Sequence, residues 1–155
     1  MINHKNNIEE KAKLLWGDDL HKSNSISAHC HQLQKAFPKH WENSVRGSLL
    51  EIGCGSGSDL NVFASMSSLK NITAIDIGSN IDVLAKKYEN RNDIRVQSGN
   101  ALSLEFNDES FDVIYSFGIF HHTSEPVKCF EESKRVLKQS GKICLLYTSP
   151  SPRDV

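Results

Sequence analysis

The feature that most constrains this chain is the alternation of short apolar runs with stretches of helical spacing. Five segments predict β-strands: 49–52, 72–75, 94–96, 111–115 and a fifth that opens at 142–143. Three segments between them predict amphipathic helices: 58–66, 81–88 and 125–137. Strands that alternate with helices at this spacing form a parallel sheet with right-handed crossovers, covered by helices on both faces. The pattern therefore predicts an α/β fold with a parallel sheet of about five strands.

Capping residues indicate where two of these helices begin and end. Ser79 or Asn80 is a plausible N-cap for the second helix, and Pro126 is tolerated in the first turn of the third. Gly141 is expected to cap the third helix, after which Lys142 opens the fifth strand.

The first 47 residues are predicted to form a helical extension, with helical spacing over 8–15 and 25–37. Large aromatic residues in this region predict either a lid over an acceptor site or plain packing against the sheet. These residues are Trp16, Phe37 and Trp41. The sequence alone leaves both interpretations open.

One cluster, His29-Cys30-His31, resembles a set of metal ligands. Neighbouring residues on a helix face different directions, and no partner pair stands at zinc spacing. No metal site is therefore predicted.

Charge and composition narrow the functional classes. The 155 residues suit one domain, and 18 Lys and Arg against 19 Asp and Glu give a formal net charge of −1. Such a chain lacks the basic field with which sequence-independent nucleic-acid binders neutralise phosphates, so no nucleic-acid partner is predicted. No apolar run approaches the roughly 20 residues that span a bilayer, and no secretory leader is recognised. The lack of such a run predicts no membrane partner. The four cysteines are widely spaced with no CxxC pair, so in the absence of a leader we expect reduced thiols and a cytoplasmic location.

A glycine-rich turn, Glu51-Ile52-Gly53-Cys54-Gly55-Ser56-Gly57, joins the first strand to the first helix. Glycines there allow the backbone to approach a ligand closely. The dinucleotide fingerprint G-x-G-x-x-G fails, because Ser58 stands where the third glycine is required. The carboxylate of Glu51 would repel a pyrophosphate but suits the ammonium group of an amino-acid-like ligand. The turn therefore favours a cationic cofactor over a dinucleotide.

Two further polar residues follow predicted strands. Asp76 ends the second strand, where a carboxylate can accept hydrogen bonds from both hydroxyls of a ribose. The alternative is a helix-capping aspartate. Asn100 follows the third strand, where its side chain could read an adenine amino group, or could be an ordinary turn residue.

Several motifs in order give the chain a family resemblance. They are LLEIGCGSG, the strand end at Asp76, GNA, FDVIYS, the pair HH and RVLKQSGK. Together they resemble the class I S-adenosylmethionine-dependent methyltransferases, and most of all their type 11 or ubiquinone/menaquinone-type small-molecule branch. The similarity covers residues 48–143. It implies a Rossmann-like fold, S-adenosylmethionine as the cofactor and a small-molecule acceptor.

The resemblance also implies the cofactor contacts residue by residue. They are Glu51, Gly53, Cys54, Gly55 and Gly57 for the methionine part, Asp76 for the ribose, Ile77 and Ala101 beside the adenine, Asn100 for the adenine amine, and Ser116 and Phe117 at the methyl-donor end. The family usually has aspartate where Asn100 stands, but asparagine keeps an acceptor oxygen. The usual double glycine before the fifth strand is Ser140-Gly141 in this chain.

Methyl transfer is an in-line displacement, so the protein mainly aligns the acceptor and excludes water. His121 and His122 follow the fourth strand, and either could act as a base for an acceptor that must lose a proton. The alternative is that they close the pocket or cap the next helix. Two rival functions remain at this point: a non-catalytic S-adenosylmethionine-binding subunit, and an NAD-dependent oxidoreductase domain.

The last residues, 144–155, resemble no part of the family. The segment from Cys144 to Asp154 matches a translation of a common transposase-based sequencing adapter. The hypothesis is that the natural reading frame stops near Ile143, which leaves a fragment without the last two strands of the family. An uncovered sheet edge is an aggregation hazard, so such a chain is expected to be poorly soluble or weakly active.

Overall fold

A computed structural model describes residues 43–146, with side chains through Leu145. The predicted helices 8–15 and 25–37 lie outside the described residues, as do the aromatic residues of the extension, the His29-Cys30-His31 cluster and most of the 144–155 segment. No helix within the described part of the chain is long and apolar enough to cross a membrane.

Five parallel strands form one sheet in the order β3-β2-β1-β4-β5. The strands are β1 (Gly47–Ile52), β2 (Leu69–Asp76), β3 (Ile94–Ser98), β4 (Phe111–Phe117) and β5 (Leu137–Leu146). The helices are α1 (Ser58–Phe63), α2 (Ile81–Lys87) and α3 (Pro126–Val136), and a 3-10 turn spans Phe120–His122. The predicted α/β class and the five-stranded parallel sheet are confirmed.

The strands read as continuous apolar runs because both faces of the sheet are covered. Side chains alternate between the faces, so Leu49 packs with α1 and α2 while Leu50 and Ile52 pack with α3. Glu51 lies on the same face as Leu49, in the centre of the sheet. A carboxylate is therefore built into a position that otherwise takes an apolar side chain.

The junction between α3 and β5 corrects one prediction. Gly141 does not cap the helix, which ends at Val136 and passes directly into extended backbone at Leu137. Leu137 pairs with Phe111, and the register then jumps to Val113 opposite Lys142, so 138–141 bulge from the ladder. A side chain at Gly141 would meet Leu137 Cδ1 at 2.5 Å. The helix therefore ends where Leu137 pairs with Phe111 on the sheet, before the chain reaches the glycine.

The first helix is also shorter than predicted. It ends at Phe63 instead of residue 66, because the next turn tightens to three-residue spacing. There, Ser65 N donates to Val62 O at 3.1 Å and Met66 N to Phe63 O at 3.0 Å.

The amino ends of β1 and β4 are joined by a charged network. Asp112 Oδ2 accepts hydrogen bonds from Ser48 N at 2.9 Å and Ser48 Oγ at 2.7 Å. Lys138 Nζ lies 3.0 Å from both carboxylate oxygens. These donors hold the pKa of Asp112 at about 2, the backbone bond from Ser48 first. The network secures the end of the sheet that is remote from the glycine-rich turn.

Candidate functional site

The carboxyl ends of β1, β2 and β4 meet at one edge of the sheet because the strands are parallel. The glycine-rich turn leaves β1 there, Asp76 ends β2, and the 3-10 turn Phe120–His122 follows β4. In open α/β sheets ligands bind outside the carboxyl ends of the strands, beside the point where the chain changes direction across the sheet. Here that point lies between β1 and β4.

The turn after β1 lies tightly against its neighbours. The backbone N–H groups of Gly53 and Cys54 both donate to Ile75 O, at 2.8 and 3.1 Å. Gly53 has φ +81°, and a Cβ there would overlap Ile119 Cγ1. Only glycine fits at this position, because the side chain of Ile119, in the segment after β4, lies against the turn.

Asp76 fastens the same turn to β2. Its Oδ2 accepts from Gly55 N at 2.8 Å, and its Oδ1 accepts from Gly78 N at 2.6 Å. Neither donor belongs to α2, so Asp76 does not cap that helix. The carboxylate instead fixes the backbone on both sides of the site.

Glu51 lies beneath the turn with 2% of its surface exposed. Within the described part of the chain its Oε2 has no hydrogen-bond partner. Burial raises the pKa of Glu51 well above its usual range, and the charges of Asp59 and Asp76 raise it further. A buried carboxylate oxygen without a donor is rare and indicates a position built for a ligand.

A second buried carboxylate lies beside Glu51. Asp59, 7% exposed at the start of α1, accepts a hydrogen bond at 2.7 Å from the hydroxyl of Tyr115, which is 1% exposed. Burial raises the pKa of Tyr115, and the negative charge of Asp59 adds to the effect. The phenol is therefore a donor that keeps its proton.

Cys54 contributes backbone rather than reactive sulfur. Its side chain is buried, and burial raises the pKa of the thiol, as do the charges of Glu51 and Asp76. A thiol that resists ionisation is not a nucleophile.

The predicted adenine contacts lie along the β2 and β3 ends. Gly99 N donates to Asp76 O at 3.0 Å, which brings the 99–101 turn beside the second strand. Asn100 Oδ1 accepts from Leu102 N at 2.9 Å, so part of its hydrogen-bonding capacity shapes the turn. Ala101 is buried and Ile77 is half-buried.

The β4 end carries the remaining predicted residues. Ser116 is buried and its hydroxyl donates to Ile52 O at 3.0 Å, which joins β4 to β1. Phe117 is partly exposed beside it. His121 and His122 contact each other with ring centroids 3.9 Å apart. Neither residue caps α3, which begins after Glu125.

Sequence reasoning did not select three residues that lie at the site: Asp59, Tyr115 and Ile119. A weak signal existed for Tyr115, since a tyrosine inside the buried FDVIYS strand needs a partner for its hydroxyl. Among the residues that the structure describes, no group of three or more His, Cys, Asp or Glu side chains is arranged to hold a metal ion.

The chain is similar to proteins of one family. The family model described as a methyltransferase domain matches residues 50–145. A methyltransferase of Bacillus subtilis, YcgJ, is 32% identical over 109 residues, covering 68% of this chain and 42% of the relative. A demethylmenaquinone methyltransferase of Staphylococcus haemolyticus is 29% identical over 131 residues, covering 82% of this chain and 54% of the relative.

A solved structure gives the same result at the level of the fold. The crystal structure of YcgJ from Bacillus subtilis superposes with a TM-score of 0.62 at 27% identity, covering 78% of this chain and 50% of that one. The chain thus matches about half the length, or less, of these similar proteins.

Proposed function

This chain belongs to the methyltransferase domain family, whose cofactor is S-adenosylmethionine, and from that premise we propose that it transfers the cofactor's methyl group to a small-molecule acceptor. The reacting atom of the acceptor would be an oxygen, nitrogen or carbon nucleophile. When bound, S-adenosylmethionine supplies an electrophilic methyl group on a sulfonium. The chain's own residues would bind the cofactor, orient the acceptor and exclude water.

One observation carries the proposal: Glu51 is buried, has an oxygen without a donor in the described residues, and is acted on by the negative charges of Asp59 and Asp76. Such a position needs a cation. The ammonium group of an amino-acid-like cofactor supplies that cation, whereas the pyrophosphate of NAD would add repulsion. The charge of the site therefore supports S-adenosylmethionine over a nicotinamide cofactor.

The remaining contacts follow from the same edge of the sheet. The 53–57 turn would hold the methionine part, and Asp76 would receive the ribose hydroxyls through the lone pairs that Gly55 and Gly78 leave free. Phe117, partly exposed at the end of β4, would line the methyl-donor side. These contacts are the ones that the family resemblance implies, and the position of the residues at one edge of the sheet supports them.

His121 or His122 would serve as the base where the acceptor must lose a proton. The two rings follow β4 directly, and the contact of Ile119 with Gly53 fixes that segment against the cofactor turn. A phenol, enol or carboxyl acceptor would benefit from a base at this position.

A small molecule is the proposed partner, with neither nucleic acid nor membrane. The near-neutral charge supports the exclusion of nucleic acid, and the name of the Staphylococcus relative refers to a quinone, demethylmenaquinone. We also propose a cytoplasmic location, where the free thiols of Cys54 and Cys129 would stay reduced.

Calorimetry of the full chain with S-adenosylmethionine and with NAD tests the cofactor. We expect saturable binding of S-adenosylmethionine only, and Asp76→Asn should weaken it by more than tenfold because a ribose acceptor charge is lost. Asp82→Asn, an exposed carboxylate on α2, is the matched control and should bind normally. Binding of NAD in preference would contradict the proposal.

Transfer of a labelled methyl group to phenol, hydroquinone and carboxylate acceptors separates an enzyme from a binding subunit. Incorporation of label that depends on His121 or His122 supports the catalytic proposal. Tight cofactor binding without transfer to any acceptor class supports the non-catalytic subunit instead.

A further inference from the structure

Among residues 43–145, the groups that act electrostatically on Glu51 are acidic or neutral. Five titratable groups from the elements around Glu51 interact with it electrostatically: Cys54 in the turn after β1, Asp59 on α1, Asp76 on β2, Tyr88 just after α2 and Tyr115 on β4. Each of these groups is neutral or negative when it titrates. Within the described residues, no basic side chain offsets the effect of burial, Asp59 and Asp76 on the pKa of Glu51.

Asp59 is the neighbour with the strongest influence. The Tyr115 hydroxyl donates to its Oδ2 at 2.7 Å, which gives Asp59 a hydrogen bond that Glu51 Oε2 lacks in the described residues. Two buried carboxylates side by side cannot both ionise without a large free-energy cost. Asp59 has a donor, so the proton belongs on Glu51.

We propose that Glu51 carries a proton in the ligand-free protein and releases it when a cationic amino group binds, and that Asp59, held by Tyr115, is the positioning residue that sets this exchange. The inference rests on the proposed function, since the cation is the ammonium group of S-adenosylmethionine. The protonated carboxyl exchanges its proton for an ion pair, and the proton goes to the buffer.

The direction of the pH effect follows from this exchange. Proton release makes affinity rise with pH, by at most about tenfold per unit, over the range where Glu51 is protonated without ligand. Affinity levels off once Glu51 ionises by itself, and falls again when the ligand's own ammonium group loses its proton. The cofactor site is thereby linked to pH through one carboxyl group.

Calorimetry of the full chain in buffers of different ionisation enthalpy tests the exchange. With S-adenosylmethionine, the observed heat should change with buffer by an amount equal to about one proton released. With 5′-methylthioadenosine, which has no amino-acid part, the heat should be the same in every buffer. Binding of S-adenosylmethionine without buffer dependence would overturn the exchange and leave the proposed function standing.

Variants locate the proton. Glu51→Gln mimics the protonated carboxyl, so it should fold, bind 5′-methylthioadenosine as before and release no proton with S-adenosylmethionine. Asp59→Asn removes the neighbouring charge, so fewer protons should be released at the same pH. Asp82→Asn should match the unchanged protein.

The outcomes separate the two proposals. Loss of heat with both ligands would reject S-adenosylmethionine as the cofactor, and the proton exchange with it. Full proton release by Glu51→Gln would assign the proton to another group and overturn the inference alone. Circular dichroism of each variant shows that a change in release reflects the site and not unfolding.

Discussion

Two carboxylates on neighbouring strands show how differently the two ends of this sheet are built. Glu51 lies near the carboxyl end of β1, is 2% exposed and has an oxygen without a donor in the described residues. Asp112 lies at the amino end of β4, is 37% exposed and accepts from Ser48 and Lys138. Burial raises the pKa of the first, and hydrogen bonds lower the pKa of the second to about 2.

The difference separates stability from function within one sheet. At the amino end, donors satisfy the charge and join the strands. At the carboxyl end, a buried carboxyl group is left with one oxygen that has no hydrogen-bond donor in the described residues. Strain and unsatisfied groups persist where the surrounding structure holds them, and they concentrate at binding sites.

The largest expected effect is at the carboxyl end. Gly53→Ala places a Cβ against Ile119 at a positive φ, which should lower the free energy of unfolding by about 3 kcal/mol. Gly55→Ala is the matched control, because nothing lies within 4 Å of its added Cβ, and should cost about 1 kcal/mol. Chemical denaturation measures both. Equal losses would mean that the contact with Ile119 adds nothing.

A second test uses the pH dependence of the unsatisfied carboxylate. The folded pKa of Glu51 is raised, so ligand-free stability should fall as pH rises from its usual pKa toward the folded value. Glu51→Gln should remove that fall, with stability near that of the unchanged protein at low pH. Thermal melts across pH 4–9 provide the measurement. Parallel curves for the two proteins would contradict the buried, uncompensated charge.

The smallest effect is expected at the satisfied end, with the opposite sign. The pKa of Asp112 is lowered to about 2, so its stabilisation is present above its usual pKa of 3.8 and is lost as pH falls toward 2. Asp112→Asn should cost about 1 kcal/mol at neutral pH, because solvent screens this partly exposed group. Its melts should converge with those of the unchanged protein at acidic pH. If the melting temperatures of the two proteins instead converged at high pH, Asp112 would not stabilise the fold through its ionised form.

The fold was predictable because each strand is a short apolar run and each helix has its own period. Gly141 misled the prediction because local turn chemistry cannot show that Leu137 has an apolar partner on the neighbouring strand. Individual residues such as Asp76 could be selected because their type and place at a strand end carry chemistry. The bond between Asp59 and Tyr115 could not, since it joins residues 56 apart along the chain.

The strand order has a consequence for synthesis on the ribosome. β1 lies between β2, which follows it closely in sequence, and β4, whose paired residues come 64 positions later. At roughly 5–20 residues per second, the open edge of β1 waits on the order of 3–13 s for its second partner. During that interval the central strand of the sheet has an unpaired edge in the nascent chain. The yield of folded protein should therefore depend on translation speed and on chaperones that bind the emerging half-sheet.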